Sequence, residues 1–318
     1  MLIDKLRYAA YRLKYRYGKV LPLAVPVDIS LELSSQCQLR CSYCYHSDQD
    51  NLPFTKGFMT YDIATKILME AALLGVPSIK MNWKGESSIN PRFSAITAYA
   101  KRLAKGSTFI DRLSNSNFNF PTRRDDIFDG FCNQTKVKIS FDSFIKEVFE
   151  TQRTLGNWET TCRNIDIFYN HPNRKNTEIV IQAVRTKLNK DEDIEGEVRK
   201  RWKDATVSIR DMVAGRVEKN LDDLEHRKRN IGERQSCTQA HVRIIYNHEG
   251  RAFPCCPDVS EKLQIGDARK QTVGEIFNGH YAKELRKDLK CGKAFLKDPC
   301  KNCSSFESYK GFKPVWNS

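Results

Sequence analysis

The length, composition and charge of this chain indicate a folded protein and exclude several classes. With 318 residues, of which 40% are hydrophobic and 10% aromatic, the chain can bury a large core and is not a disordered protein. No apolar run approaches the roughly 20 residues that span a bilayer. The N-terminus is charged throughout and lacks the apolar block of a signal peptide. We therefore expect a cytoplasmic protein without a membrane span.

The formal net charge of +14 suggests an acidic partner. Nucleic acid and an acidic peptide segment are both compatible with it. Segment 7–17 also mixes basic and aromatic residues, as nucleic-acid surfaces do. Acidic residues are interleaved with the basic ones, however, and for segment 7–17 we favour a helix packed on the core with a solvated basic face.

Hydrophobic periodicity predicts the elements in chain order. Residues 1–20 can form a basic amphipathic helix, with one face made of Leu2, Leu6, Ala9 and Leu13. Further patterns predict strand 27–33, helix 61–74, strand 78–83, helix 92–103, strand 109–114, strand 136–142, helix 159–169, strand 178–184, helix 191–202 and strand 205–209. Strands that alternate with helices imply an α/β fold with a parallel sheet. About six repeats, without room for eight, predict an open, partial (β/α)6 barrel.

The predicted domain organisation has four parts. They are a basic N-terminal helix (1–24), the partial barrel (25–214), a linker (215–235) and a small cysteine-rich α+β module (236–318). The linker is charge-dense and poorly periodic. Within the module, residues 240–246 alternate, 247–250 can turn and 251–254 can return, which predicts a β-hairpin.

Eleven cysteines are many for a reducing compartment, where disulfides rarely persist. Three lie together directly after strand 27–33, and six lie late in the chain: Cys237, Cys255, Cys256, Cys291, Cys300 and Cys303. In a cytosolic chain such clustering points to metal binding. Cys132 and Cys162 fall within the strand and helix pattern, and we expect them in the core.

The early cluster is Cys37-Gln38-Leu39-Arg40-Cys41-Ser42-Tyr43-Cys44. Three thiolates at this spacing can hold three irons of a cubane cluster and leave the fourth iron open to a ligand. A loop at the C-terminal end of a barrel strand is also where barrel active sites form. The alternative is a zinc knuckle, which normally needs four ligands, with His46 as the nearby candidate for the fourth.

This CxxxCxxC pattern, with an aromatic residue before its last cysteine, resembles the signature of the radical S-adenosylmethionine (radical SAM) superfamily. The resemblance implies that Cys37, Cys41 and Cys44 ligate a [4Fe-4S] cluster whose fourth iron binds S-adenosylmethionine (SAM). Tyr43 then packs near the adenine. It also implies that an external flavodoxin- or ferredoxin-like protein supplies one electron. SAM is then cleaved to methionine and a 5′-deoxyadenosyl radical, which abstracts a substrate hydrogen.

Other segments resemble the family's SAM-binding motifs. Lys84-Gly85-Glu86 is similar to the Gly-Gly-Glu motif that contacts the methionyl amine, a task that suits a carboxylate. Its departure is Lys84, which replaces the first glycine. The resemblance implies SAM contacts from Tyr43, Gly85, Glu86, Ser116, Ser140, Asp142, Arg153 and Gln182. For Ser116 and Arg153 the alternative is an ordinary loop or helix-surface position, and strand alternation alone leaves the face of Gln182 open.

A second constellation joins Cys237, Cys255 and Cys300-Lys301-Asn302-Cys303. A hairpin with one pair of thiolates and a CxxC turn with the other can enclose one metal centre, for which zinc and iron–sulfur are both reasonable. The order and spacing resemble the twitch domain, a shortened relative of the SPASM extension of many radical SAM enzymes. That resemblance implies an auxiliary [4Fe-4S] cluster ligated by Cys237, Cys255, Cys300 and Cys303.

Cys256 and Cys291 are left over in this module. Either thiol could donate a hydrogen atom that quenches a product radical. We favour the plainer interpretation, in which Cys256 is a small buried hydrophobe and Cys291 is a replacement or extra ligand.

The resemblance leaves the substrate class open. A ribosomally made peptide that is oxidised, cross-linked or epimerised is the first expectation, and a sugar or aminocyclitol alcohol is the second. A nucleobase or nucleic acid is the third, favoured only by the charge. The alternative from another class is a non-catalytic iron–sulfur protein, and Lys84 is the feature in its favour.

Overall fold

The computed structural model describes residues 2–120, 125–211, 237–296 and 298–303. The predicted linker and the end of the predicted module lie outside these residues. The helices are α1 (Leu2–Tyr17), α2 (Tyr61–Leu73), α3 (Phe93–Leu103), α4 (Asp125–Cys132), α5 (Lys146–Gln152), α6 (Trp158–Tyr169), α7 (Ile194–Arg201), α8 (Gln239–Val242), α9 (Val273–Phe277) and α10 (His280–Lys290). The strands are β1 (Asp28–Leu31), β2 (Ser78–Met81), β3 (Asp111–Ser116), β4 (Lys136–Ser140), β5 (Glu178–Arg185), β6 (Thr206–Asp211), β7 (Arg243–Tyr246), β8 (Arg251–Phe253) and β9 (Gly266–Asp267).

One sheet runs through the described structure in the order β6-β5-β4-β3-β2-β1-β7-β8-β9. The first six strands of the chain pair in parallel and the sheet does not close, which confirms the predicted partial barrel. Strand β7 pairs in parallel with β1, with Asp28 opposite Arg243, and β8 and β9 follow antiparallel. The C-terminal hairpin therefore extends the barrel sheet itself.

Alternation along the strands separates two faces of this sheet. One face packs under the helices and is apolar, with Ile29, Leu31, Ile79, Met81, Val137, Ile139, Ile179 and Ile181 in the main core. The opposite face, called the inner face below, is polar and carries Asp28, Ser30, Ser78, Lys80, Asp111, Lys136, Lys138 and Ser140. A polar inner face in a barrel provides hydrogen-bonding groups for ligands.

Helix α2 illustrates how local sequence sets an element. The side chain of Thr60 accepts a hydrogen bond from the backbone N–H of Ile63 at 3.3 Å, which is an N-cap, and Gly75 has a φ of 68° just past the end. Between them Ala64, Ile67 and Leu68 repeat at helical spacing and are buried.

Helix α1 packs through a different face from the predicted one. Leu6 and Leu13 are 61% and 55% exposed, whereas Tyr11 is 2% exposed. The Tyr11 hydroxyl donates to Asp111 Oδ2 at 3.2 Å, and Tyr15 accepts from Arg243 Nη2 at 3.0 Å. These partners begin β3 and β7, so α1 lies against the N-terminal end of the sheet. The expected packed helix is confirmed, but its contact face is made of tyrosines because their hydroxyls reach the polar inner face.

Other predictions need correction at the element ends. Residues 240–242, predicted as the start of a strand, belong to the short helix α8, because the His241 N–H donates to the Thr238 carbonyl before β7 begins. Strand β3 ends at Ser116 and not at Ser114, since it continues its pairing with β4. Helices α4, α5, α9 and α10 were not predicted.

Cys132 and Cys162 are buried, as expected. Within the described ranges, no helix is long and apolar enough to cross a membrane.

Candidate active site

The cysteine loop follows β1, and hydrogen-bond donors point at two of its sulfurs. The Leu39 N–H lies 3.5 Å and Asn117 Nδ2 lies 3.7 Å from Cys37 Sγ. Arg153 Nη1 lies 3.8 Å from Cys41 Sγ. Donors and a cation aimed at sulfur are the surroundings that stabilise thiolates. The loop therefore fits the ligation of an iron–sulfur cluster by thiolates.

The loop is tied to the end of α5. The N–H of Arg40 donates to the Thr154 carbonyl at 2.8 Å, and that of Ser42 donates to the Gln152 carbonyl at 3.0 Å.

Burial raises the pKa of Cys37, and it raises the pKa of Cys41 to about 11 against the opposing charge of Arg153. Burial outweighs the donors around the two sulfurs, so without metal these thiols stay protonated at neutral pH and metal loading releases protons.

Gly85 allows β2 to approach the backbone that leads into the cysteine loop. A Cβ at this position would lie 2.4 Å from the Gln36 carbonyl oxygen and 2.5 Å from that of Ser34. The next N–H, that of Glu86, donates to the Gln36 carbonyl at 2.8 Å. Only glycine leaves room for this approach, which is the physical reason for a glycine in the motif.

The Glu86 carboxylate is buried beside the cysteine loop. Its Oε1 accepts from the Ser88 N–H at 3.2 Å and the Ser88 hydroxyl at 2.5 Å, and its Oε2 accepts from the Asn117 N–H at 2.8 Å. Burial raises its pKa, while hydrogen bonds from Ser88, Asn117 and Ser116 oppose that shift. A desolvated carboxylate held in this way favours a cationic partner.

Lys84 points its ammonium into a buried ion-pair network. Nζ pairs with Glu261 and lies 3.4 Å from Glu32 Oε2, and the Lys84 side chain is fully buried. The rings of Trp83 and Phe54 lie 4.1 and 4.6 Å from Nζ. Because Glu261 belongs to the C-terminal part of the chain, this lysine connects the glycine-glutamate motif to that part.

His46 is committed to hydrogen bonds, which weakens its candidacy as a zinc ligand. Its Nε2 lies 3.2 Å from the Lys84 carbonyl oxygen and its Nδ1 lies 3.4 Å from Gln49 Nε2. Burial lowers its pKa to about 4, so the ring is neutral at physiological pH.

Asp142 holds Tyr43 and Arg153 together. The Tyr43 hydroxyl donates to Asp142 Oδ2, while Arg153 Nη2 donates to Oδ1 at 3.1 Å and the Val184 N–H donates to the same oxygen at 2.8 Å. Asp142 is fully buried and Arg153 is 5% exposed, so Arg153 is not the helix-surface residue of the alternative interpretation. Because Arg153 also reaches Cys41, this group connects the predicted SAM residues to the cysteine loop.

The remaining predicted SAM residues lie on β3, β4 and β5. Ser116 is buried, and its hydroxyl accepts from the Phe118 N–H at 3.1 Å. Ser140 is the register partner of Gln182, and both side chains are half-buried on the inner face. The structure thus places Gln182 beside Ser140, and the roles of these three residues toward SAM stay predictions.

Asn117 was missed by the sequence reasoning. Its N–H donates to Glu86, its Nδ2 points at Cys37 Sγ, and its Oδ1 accepts from Gln38 Nε2 at 2.9 Å. It thereby joins the Glu86 motif to the cysteine loop. Its position directly after Ser116, a predicted SAM contact, was the available signal, but a contact between distant segments cannot be read from spacing.

The C-terminal cysteines come together at one end of the sheet. Cys237 and Cys300 pack against Ala240, Leu289 and Ala294. Burial raises the pKa of Cys237 to about 11, with Cys303 adding to the shift, and burial raises that of Cys255 further, with Cys237 and Cys300 adding to it. All four predicted auxiliary ligands are thus within electrostatic reach of one another.

Within the described ranges, no three His, Cys, Asp or Glu side chains are arranged around a single ion position. None of the eleven cysteines forms a disulfide within the described residues. The ligands of a cubane cluster do not share one ion, because each cysteine binds a different iron atom. The four cysteines would therefore surround a whole cluster.

Cys256 and Cys291 are both exposed, so the expectation of a buried Cys256 is wrong. The Cys256 Sγ lies 3.4 Å from Gln239 Oε1 and 3.8 Å from Arg243 Nη1, which keeps it at a polar edge of the sheet. The Cys291 thiol donates to the Asp288 carbonyl at 3.6 Å, at the end of α10. Their proposed roles as hydrogen-atom donors stay predictions.

Comparison with known proteins identifies the C-terminal part first. Residues 237–304 match the family model of the SPASM iron–sulfur cluster-binding domain. No curated protein matches the sequence. Similar solved structures include BtrN in complex with AdoMet and 2-DOIA, at 16% identity over 88% of this chain and 93% of that chain, with a TM-score of 0.58. The chain has the radical SAM fold with a SPASM domain.

Two further structures are similar over most of the chain. Streptococcus suis SuiB bound to precursor peptide SuiA has 12% identity over 87% of this chain and 70% of that chain, with a TM-score of 0.64. The protein anSMEcpe with bound AdoMet and Cp18Cys peptide has 17% identity over 90% and 88%, with a TM-score of 0.60. The SPASM match also favours an iron–sulfur cluster over zinc for the four C-terminal thiols.

Proposed function

We propose that this chain is a radical SAM enzyme that abstracts a hydrogen atom from a ribosomally made peptide, which is then oxidised, cross-linked or epimerised. The observation that carries the proposal is the cysteine loop with donors aimed at its sulfurs, packed against Gly85 and Glu86. Cys37, Cys41 and Cys44 would hold the [4Fe-4S] cluster. When cluster and SAM are bound, they supply one-electron chemistry strong enough to take hydrogen from a C–H bond.

The chain's own residues prepare this site. Ser88 and Asn117 fix the buried Glu86 carboxylate, which suits a cationic amine such as that of SAM. Asp142 orients Tyr43 and Arg153, and Arg153 places a positive charge near Cys41. These groups would bind and position SAM, so the protein contributes a fixed electrostatic environment.

Helix α1 supports the exclusion of water from the inner face. The ring of Tyr11 is buried at the N-terminal end of the sheet, and its hydroxyl is bonded to Asp111. A site that generates reactive radicals needs such closure, because solvent access permits side reactions.

The SPASM domain would hold an auxiliary cluster through Cys237, Cys255, Cys300 and Cys303. Held there, the cluster would supply an acceptor for one electron, which favours a net two-electron oxidation or a cross-link. If a thiol such as Cys256 returns a hydrogen atom, the outcome is redox-neutral epimerisation. An external one-electron reductant would supply the electron for SAM cleavage in both cases. In the epimerisation it would also supply the electron that, with a proton from solvent, returns the thiyl radical of the donor cysteine to a thiol.

The peptide is favoured because two of the similar structures, SuiB and anSMEcpe, contain peptides. The second candidate is dehydrogenation of a sugar or aminocyclitol alcohol. It is favoured by the likeness to BtrN with 2-DOIA, which extends over 93% of that chain. Nucleic acid is the third candidate and is supported only by the net charge of +14.

The test measures 5′-deoxyadenosine by mass spectrometry after anaerobic reconstitution and reduction. Pools of synthetic peptides, of sugar and aminocyclitol alcohols, and of oligonucleotides are added separately. Stimulation by peptides supports the proposal, whereas stimulation by alcohols alone contradicts the peptide assignment. Cys41→Ala should abolish product formation, and the matched control Cys132→Ala, which removes a core thiol bonded to His171, should retain it.

A further inference from the structure

The inner face of β4 carries Lys138, a cation without an ion-pair partner among the described side chains. Lys138 follows the inner-face position Lys136 by two residues and precedes Ser140 by two, while its neighbours Val137 and Ile139 face the helices. The Lys138 side chain is half-buried. Among the residues whose side chains the structure describes, it has no hydrogen-bond or ion-pair partner. Partial burial of a charge without a partner is unfavourable, and a bound ligand of opposite charge reduces that cost.

Three other cations of this face are each paired with a carboxylate, unlike Lys138. Lys80 pairs with Asp28, and Arg243 Nε lies 3.2 Å from Asp28 Oδ1. Lys136 Nζ lies 2.9 Å from Glu178 Oε2. These carboxylates are therefore already engaged with other cations.

A second cation adds to the positive charge around Lys138. Arg210 lies on β6 at a position that alternation assigns to the inner face, since its register partner is Val184 and that of Ser208 is Gln182. It also has no acidic partner among the described side chains. Burial lowers the pKa of Lys138 to about 8, and Arg210 is the largest of the neighbouring charges that lower it further. Asp111 opposes the shift but is engaged by Tyr11 and Ser78.

Hydrogen-bond acceptors without partners lie on the adjacent strands. Asn115 on β3 is the register partner of Lys138, and its buried Oδ1 has no hydrogen-bond partner in the described structure. The buried Oδ1 of Asn82, just past β2, also has no hydrogen-bond partner in the described structure. Such amide oxygens accept from N–H groups. A cation beside unfilled acceptors suits a ligand that carries a carboxylate together with N–H donors.

We propose that Lys138, assisted by Arg210, binds a carboxylate of an acidic peptide substrate, and that Asn115 accepts a hydrogen bond from an adjacent N–H of that peptide. The inference rests on the proposed function, because it assigns the substrate class to the same inner face. It also assigns a role to two particular cations, which the net charge of +14 alone does not do.

The test uses the reconstituted enzyme with SAM and measures the rate at which acetic anhydride acylates Lys138, by peptide mass spectrometry. The probe is N-acetylglutamate methylamide, and its neutral isostere N-acetylglutamine methylamide and inorganic phosphate are compared at equal ionic strength. The glutamate probe should slow acylation saturably, about fivefold at about four times the half-protection concentration. The exposed Lys105 serves as the reference and should not change.

Three results would overturn the proposal: no slowing across the glutamate titration, equal slowing by the glutamine probe, or tighter protection by phosphate. The last would assign an anion site of another chemistry. Arg210→Gln should weaken half-protection about tenfold, because a charged partner is lost, whereas Arg199→Gln on exposed α7 should not. Reductive SAM cleavage is measured in the same samples, so a failure of the proposed function is seen separately from a failure at Lys138.

Discussion

At Gly85 the chain passes so close to the backbone of residues 34–36 that no side chain fits. Gly85→Ala should lower the free energy of unfolding by about 1–3 kcal/mol, because the new methyl group clashes with two carbonyl oxygens. It should also reduce iron loading on the cysteine loop. Anaerobic urea unfolding and iron analysis measure both effects.

The matched control is Gly274→Ala. Gly274 lies in α9, and a Cβ there would have its nearest neighbour, Leu74 Cδ1, at 4.0 Å. We expect this variant to be neutral or stabilised by about 0.5–1 kcal/mol. Equal behaviour of the two variants would contradict the role given to Gly85.

Lys84 gives a second prediction at the residue scale. Lys84→Met should lower the free energy of unfolding by about 3–5 kcal/mol, because it leaves Glu32 and Glu261 buried without their cation. The double variant with Glu261→Gln should cost less than the sum of the single variants by about 0.5–3 kcal/mol. Denaturant unfolding of the four proteins checks the cycle.

A surface pair serves as the control for that cycle. Lys66 pairs with Glu70 one helical turn away, and its loss should cost at most about 1 kcal/mol. If Lys84→Met lowered the free energy of unfolding by no more than this, the buried network would not link the motif to the SPASM domain. The motif was recognisable in the sequence, but the partner of its unusual lysine is 177 residues away and was not predictable.

At the scale of elements, α1 tests which helix face packs. Tyr11→Ala should destabilise the protein by about 3–5 kcal/mol, because it removes a buried aromatic ring and its bond to Asp111. Leu13→Ala, at an exposed position, should change stability by at most about 0.5 kcal/mol. Thermal unfolding of both variants separates the tyrosine face from the leucine face. The reverse order would restore the sequence-based prediction.

The elements that could be predicted are those whose periodicity matches their environment. Strand β1 and helix α2 have clear apolar patterns and, for α2, clear end signals at Thr60 and Gly75. Helices α5 and α9 contain seven and five residues, too short for a periodic pattern to stand out. The packing face of α1 depends on a polar sheet that the helix sequence does not reveal, and hydrophobic patterning misassigned it.

At the scale of the whole molecule, we expect the chain to hold two separate clusters. A variant with Cys37→Ala, Cys41→Ala and Cys44→Ala should keep about four irons and four sulfides after reconstitution, held by the SPASM domain. Iron, sulfide and zinc analysis provides the measurement. Zinc without iron would contradict the auxiliary cluster and would leave a structural clip. Cys132→Ala, with both cysteine groups intact, is the control for total loading.

The sequence predicted both cysteine groups, the early one from its local spacing and the late one, which spans residues 237–303, from its resemblance to the twitch domain. It could not show that the hairpin continues the barrel sheet through β7, or that Glu261 reaches Lys84, because these are contacts between distant segments. Similarly, the sequence could not show that Asn117 contacts Cys37 or that Lys138 lies opposite Asn115 in the sheet.

The central claim is that the cysteine loop supports reductive cleavage of SAM. The most direct measurement is anaerobic quantification of 5′-deoxyadenosine and methionine after dithionite reduction of the reconstituted protein with SAM. We expect both products in equal amounts from the wild type and neither from Cys41→Ala. A wild-type protein with full iron content that forms neither product would contradict it and would favour a non-catalytic iron–sulfur protein.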